Sequence, residues 1–194
     1  MRSKAVVDTL TIENTADILD CMFTRDGTRL VSGSMDGRVR HNNVVSSISI
    51  DETGKRLAST SWDRNVNLYD VTVGDYRKQN NDYYLGSHNG CITNCTMNSN
   101  GLLLATTGMD KMIKIWDLKL RGQTTYYQGH DDWVLDACFS PDGNKVASAG
   151  KDGLLIIWNA AGQTQANCSK DSGINSTVSV ISKVSIFTPS LHKL

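Results

Sequence analysis

The sequence predicts an all-β chain that uses one β-meander several times over. Its clearest copy runs from Gly129-His130 to Trp158-Asn159: an apolar run from Trp133 to Phe139, a Ser140-Pro141-Asp142-Gly143 turn, Val146 to Gly150, Asp152-Gly153, then Leu154 to Trp158. Runs rich in Val, Ile and Leu divided by Pro-Asp-Gly and Asp-Gly read as short strands joined by tight turns. The second observation is spacing. A histidine precedes an aspartate by 22 residues, and that aspartate precedes an aromatic ring by 6, in His130, Asp152, Trp158; in His88, Asp110, Trp116; and in His41, Asp63, Tyr69. A fixed interval of this kind marks internal repeats. The third is composition, since 39% hydrophobic residues and two prolines among 194 suit a globular core.

Taken in order, residues 1–13 contain a leading strand, because Ala5 to Ile12 alternate. The first repeat, 14–40, has an inner strand from Ile18 to Phe23, a turn at Arg25-Asp26-Gly27, a second strand from Arg29 to Ser34 and a turn at Asp36-Gly37, with Asn14 where the histidine should stand. The turn aspartates Asp36, Asp63, Asp110 and Asp152 are 27, 47 and 42 residues apart, against about 40 to 45 for repeats of this class. The short first interval has a definite location. Arg38-Val39-Arg40 opens a third strand and His41 already occupies the histidine slot of the next repeat, so the first unit is expected to be incomplete or irregular. The second repeat spans 41–70 and is followed by a long polar segment around Lys78 to Asp82; the third spans 88–117 and the fourth 130–159. From 161 to 194 the composition shifts toward Gly, Gln, Asn and Ser, and Thr177 to Phe187 alternate again before Pro189, which reads as a tail or the start of a fifth unit.

Gly129-His130, Trp116-Asp117 and Trp158-Asn159, in this order and at these distances, resemble the WD repeats of β-propellers over roughly residues 14 to 159. The resemblance implies a WD-repeat β-propeller, as a partial or open arc of about four blades with an irregular first blade; four blades is the small limit for a closed ring. It also implies a leading strand that completes the last blade; here that strand could pair with the one ending at Trp158 or remain a free edge.

His130, Ser148 and Asp152 could be read as a hydrolase triad, in which histidine activates serine and aspartate orients histidine. The same set recurs as His88, Thr106, Asp110 and as His41, Ser59, Asp63, and no enzyme needs one nucleophile in three copies; no Gly-x-Ser-x-Gly elbow surrounds any of them. The reading that uses every member adds the aromatic residue. Trp116, Trp158 and Tyr69 each carry a donor that must be satisfied when buried, and a hydroxyl can accept it while bonding the histidine. The resemblance implies such a structural tetrad in each blade. No catalytic residue, metal site or cofactor is expected. Cys21 and Cys95 share a slot with Ile48 and Ala137, so they read as small buried positions in a reducing compartment, and Cys91 and Cys95 lack a second ligand pair for zinc. Asn94, Asn167 and Asn175 head glycosylation sequons that should go unused, since the start of the chain does not read as a signal peptide.

Twenty basic residues balance twenty acidic ones, so no net field draws the chain to nucleic acid or to an anionic membrane. No apolar run approaches the roughly 18 residues of a membrane span, and an intracellular location, cytoplasmic or nuclear, is expected. Function in such a scaffold lives on loops. Related propellers dock partners beside the turn aspartates and histidines, which here means Met35, Trp62, Met109 and Lys151, with Asn89, Asp131 and Trp133. The reading is a non-enzymatic scaffold that presents this rim to a protein or peptide. Two others stand beside it. One is a truncated isoform or fragment without independent activity, self-associating through exposed strand edges; the other is a substrate receptor of a ubiquitin ligase, against which Lys119 stands where the adaptor motif wants arginine.

Overall fold

The computed structural model describes residues 18–23, 27, 30–34, 41–70, 83–119 and 123–160. The leading strand, Met35, the segment around 78–82 and all of 161–194 lie outside them. Within them are thirteen strands and no helix. β1 (Ile18–Phe23) and β2 (Leu30–Ser34) form a two-stranded sheet; β3 (Val45–Ile50), β4 (Arg56–Ser61), β5 (Asn65–Asp70) and β6 (Tyr83–Ser87) a four-stranded one. β7 (Ile92–Met97), β8 (Leu103–Gly108), β9 (Met112–Asp117) and β10 (Gln123–Gln128) form a second four-stranded sheet, and β11 (Val134–Phe139), β12 (Lys145–Gly150) and β13 (Leu155–Asn159) a three-stranded one. Each sheet is an antiparallel meander in chain order, one blade per repeat. The first blade is irregular, with two strands among the described residues. No described helix is long and apolar enough to cross a membrane.

The inner strands β1, β3, β7 and β11 pack in succession. Among the described residues no packing of comparable extent joins the last blade to the first, so the blades form an open arc, a partial propeller. The core lies between blades rather than within one. Ala58, Val66, Leu68 and Leu85 of the second blade pack on Ile92, Cys95, Leu104 and Trp116 of the third. Ala105, Ile113, Ile115 and Tyr127 of the third pack on Val134, Ala137, Val146 and Trp158 of the fourth. Middle strands are therefore covered on both faces, and Leu57 to Ser61 of β4 are all buried. Tyr127 joins two blades twice, through ring contact with Trp158 at 5.3 Å and a 2.6 Å bond from its hydroxyl to the Asn159 carbonyl.

All four inner strands carry the same bulge. One extra residue, Leu19, Ser46, Thr93 or Leu135, interrupts the register with the second strand, which bends the strand and sharpens its twist. The next residue along, Asp20, Ser47, Asn94 or Asp136, is polar in every copy and links blade to blade. Ser47 Oγ donates to Asp20 at 2.9 Å, as does the Ile48 amide at 3.0 Å, and Asn94 Nδ2 donates to Asp136. At the opposite end of the strands the turns are capped from within: Asp51 accepts the amides of Lys55 and Arg56, Asn98 those of Leu102 and Leu103, and Ser140 that of Lys145.

Cys21 departs from its expected burial. Ile48, Cys95 and Ala137, in the same slot, are 0%, 1% and 4% exposed, whereas Cys21 is exposed. The physical reason is that this slot is covered by the preceding blade, and the described residues supply none in front of β1.

Gly86 in β6 lies against the ring of Trp116 in the next blade, where an added Cβ would meet Cη2 at 2.6 Å and Cζ3 closer still. The ring is buried and tethered, so it has little freedom to yield. Gly86→Ala should cost about 1–3 kcal/mol by overpacking, read as a lower midpoint of urea unfolding. An unchanged midpoint would show that the blades can part at this contact.

Candidate functional site

Two sets of residues stand out, one inside each blade and one on its rim. Inside, the third blade places His88 Nδ1 2.9 Å from Asp110 Oδ2 and His88 Nε2 2.7 Å from Thr106 Oγ1, with Trp116 Nε1 donating to that hydroxyl at 2.9 Å. The fourth repeats this with His130 to Asp152 at 2.9 Å, His130 to Ser148 at 2.8 Å and Trp158 to Ser148 at 2.8 Å. In the second blade His41 lies 3.0 Å from Asp63 and 2.8 Å from Ser59, and the Tyr69 hydroxyl is 3.4 Å from Ser59.

The donors and acceptors fix the direction of the chain in the two tryptophan blades. An ionised carboxylate can only accept, so Nδ1 donates to the aspartate; in the neutral imidazole Nε2 then accepts the hydroxyl proton, and the hydroxyl oxygen accepts the indole N–H. Ser59, Thr106 and Ser148 are 0%, 0% and 1% exposed, so these hydroxyls are shut away from solvent within the blades.

The aspartates do more than hold histidine. Asp63 accepts the amides of Asn42 and Asn65, both at 2.9 Å; Asp110 those of Asn89 at 2.9 Å and Met112 at 3.2 Å; Asp152 those of Asp131 at 2.9 Å and Leu154 at 3.1 Å. Each carboxylate thus ties the hairpin turn to the loop entering the inner strand. Burial alone would raise these pKa values, but backbone N–H bonds and the adjacent histidine outweigh it and hold all three below the ordinary 3.8. The following turn residue is left-handed in each copy: Arg64, Lys111 and Gly153 at φ of 74°, 67° and 77°. Side chains at the first two cost about 1–2 kcal/mol each, which the carboxylate bonds offset.

On the rim, the residue before each aspartate is held by one backbone bond to the residue before the inner strand: Trp62 to Val44 at 3.0 Å, Met109 to Cys91 at 2.8 Å, Lys151 to Trp133 at 2.8 Å. Trp62 is 42% and Trp133 38% exposed. Lys151 Nζ stands 4.3 Å from the Trp133 ring centroid. Asn89 and Asp131 give their amides to the aspartates while their side chains face solvent; Met109 is half-buried, and Met35 lies outside the described residues. Among the described residues no group of three or more His, Cys, Asp or Glu could hold a metal ion.

The sequence reading passed over the ladder of Asp20, Ser47, Asn94 and Asp136. Its signal is present: a polar residue beside the apolar slot of every inner strand, at the same intervals of 27, 47 and 42.

The family model for the WD domain, G-beta repeat, matches residues 6–41, 40–70, 80–117 and 121–159. The first two matches meet at Arg40 and His41, where the shortened interval lies. Among curated proteins the chain is similar to Protein HIR1 of Candida albicans, at 26% identity over 77% of this chain and 18% of that protein. It is also similar to WD repeat-containing protein 37 of Mus musculus, at 29% over 70% of this chain and 27% of that one, and to Apoptotic protease-activating factor 1 of Rattus norvegicus, at 27% over 72% and 12%. The chain thus spans from 12% to 27% of the length of these three relatives.

Removing a carboxylate strands a buried Nδ1–H and two amides. Asp110→Ala or Asp152→Ala should each destabilise the protein by about 1.5–3 kcal/mol, measured by chemical denaturation; a midpoint equal to the parent's would mean the network carries no stability. Because the folded-state pKa values are depressed, the carboxylate contribution is complete above 3.8 and is lost as pH falls through the lower folded values. The loss should show as a fall in melting temperature as the pH is lowered below about 4, less steep in Asp110→Asn/Asp152→Asn. Parallel slopes in parent and variant would contradict this assignment.

Proposed function

The chain belongs to the WD40 family of WD-domain, G-beta repeat proteins, and from that premise we propose that it is a non-enzymatic scaffold presenting its propeller rim to a protein or peptide. Proteins built of these repeats generally mediate protein–protein interaction. The observation that carries the reading for this chain is the pair of exposed tryptophans, Trp62 and Trp133, held in repeat-defined rim slots by backbone bonds. A large flat ring on a fixed backbone loses little freedom on binding, and tryptophan is enriched among the residues that dominate interface energies. Lys151 over the Trp133 ring adds a cation to the patch, while Asn89 and Asp131 supply polar groups at its margin. Met35 and Met109 belong to the same proposed surface. The interior offers no competing chemistry in this reading, because the histidines, hydroxyls and aspartates spend their bonding capacity on one another. An intracellular setting is part of the proposal, supported by the four described cysteines, none of which is in a disulfide.

The test uses the full chain beside Trp62→Ala/Trp133→Ala as bait in affinity purification, followed by titration with the captured partner. The double variant should bind about thirtyfold or more weakly with its melting temperature preserved. Equal capture by parent and variant would exclude this rim as the binding surface.

A further inference from the structure

Among the described residues, the two end faces of the arc are the unmated halves of an interface that the blades make three times internally. Counting by the repeat intervals of 27, 47 and 42 residues, Ile18 corresponds to Val45, Ile92 and Val134. Those three are 0% exposed, each against the preceding blade, whereas Ile18 is 47% exposed. Cys21 corresponds to Ile48, Cys95 and Ala137, at 0%, 1% and 4%, and is itself exposed. Phe23, at 62%, corresponds to the half-buried Ile50, Met97 and Phe139. At the far end the same comparison runs in reverse. Ile157 of β13 corresponds to Leu68 and Ile115, which are 2% and 3% exposed beneath the following blade, but Ile157 is 37% exposed. Leu155, the counterpart of the buried Val66 and Ile113, is half-buried, while the smaller Ala147 and Cys138 are buried.

We infer that the front of the first blade in one copy docks on the back of the fourth blade in a second copy. The surfaces are complementary because each repeats a face already mated in the same chain: Ile18, Cys21 and Phe23 take the place of Ile92, Cys95 and Met97, and Leu155 and Ile157 that of Val66 and Leu68. The contact is heterologous, front to back, and two copies joined at both ends close a ring. Eight blades fall within the known range of propellers. This differs from pairing of strand edges, which would engage backbone and not these side chains. One feature opposes it. The inner-strand ladder runs Asp20, Ser47, Asn94, Asp136, so each junction brings Asp136 of one copy toward Asp20 of the other, two like charges where the internal steps each pair a donor with an acceptor. The association is weakened by this and strengthened when one charge is removed.

Sedimentation equilibrium on the full chain should show a reversible monomer–dimer equilibrium. Phe23→Asp and Ile157→Asp, both surface changes that circular dichroism should show to be folded, should each weaken it by about thirtyfold or more. Mixed one to one, the two variants should form a heterodimer, because one carries an intact back face and the other an intact front face. Asp136→Asn should tighten the parent dimer by about tenfold. A chain that stays monomeric at high concentration, with the end faces covered by its own remaining residues or left bare, overturns the inference. So does self-association that either charged variant leaves unchanged, a mixture no more associated than its components, or an Asp136→Asn dimer no tighter than the parent's.

Discussion

Each regular blade is closed by one carboxylate, set where an imidazole and two separate pieces of backbone can all reach it. Asp110 receives His88, Asn89 and Met112, and Asp63 and Asp152 receive the matching groups of their own repeats. Residues 22 apart in sequence are thereby joined at the point where the third strand leaves the second. The left-handed turn after the aspartate, the buried histidine and the tryptophan that caps the hydroxyl all depend on this group remaining ionised. Hydrogen bonds to a charged acceptor are worth about 1.5–3 kcal/mol each, enough to hold a sheet whose hydrophobic contacts lie mostly with its neighbours.

That division of labour separates architecture from recognition. Histidine, serine and aspartate look like catalytic machinery in the sequence, yet in the fold they face one another under nearly complete burial. The residues free to meet another molecule sit one position away along the chain: Trp62 precedes Asp63, and Lys151 precedes Asp152. The same turn therefore fixes the interior and aims the exterior, so the rim can vary without loosening the blade.

Much of this was readable from residue spacing because a β-blade translates interval into geometry. The strands fell where apolar runs and turn dipeptides placed them, and the shortened first interval foretold a first blade that now shows two strands among the described residues. What spacing could not convey was coverage. Cys21 occupies an apolar slot by every local criterion, but its burial depends on a neighbouring blade, and a slot says nothing about whether that neighbour exists. The ladder from Asp20 to Asp136 was overlooked for the opposite reason: its residues differ chemically from copy to copy, and only their shared polarity and position betray a common role. The bulges at Leu19, Ser46, Thr93 and Leu135 leave no compositional mark at all, since Leu, Ser and Thr serve equally.

Because the hydrophobic clusters lie between consecutive blades, each unit leans only on the units beside it in the chain. Such an assembly melts as a zipper rather than as a single drop, with free energy distributed unit by unit along the array. The pair formed by β1 and β2, flanked by one blade among the described residues, is the loose tooth from which heating would spread. Hydrogen exchange would see the second and third blades as the last to yield.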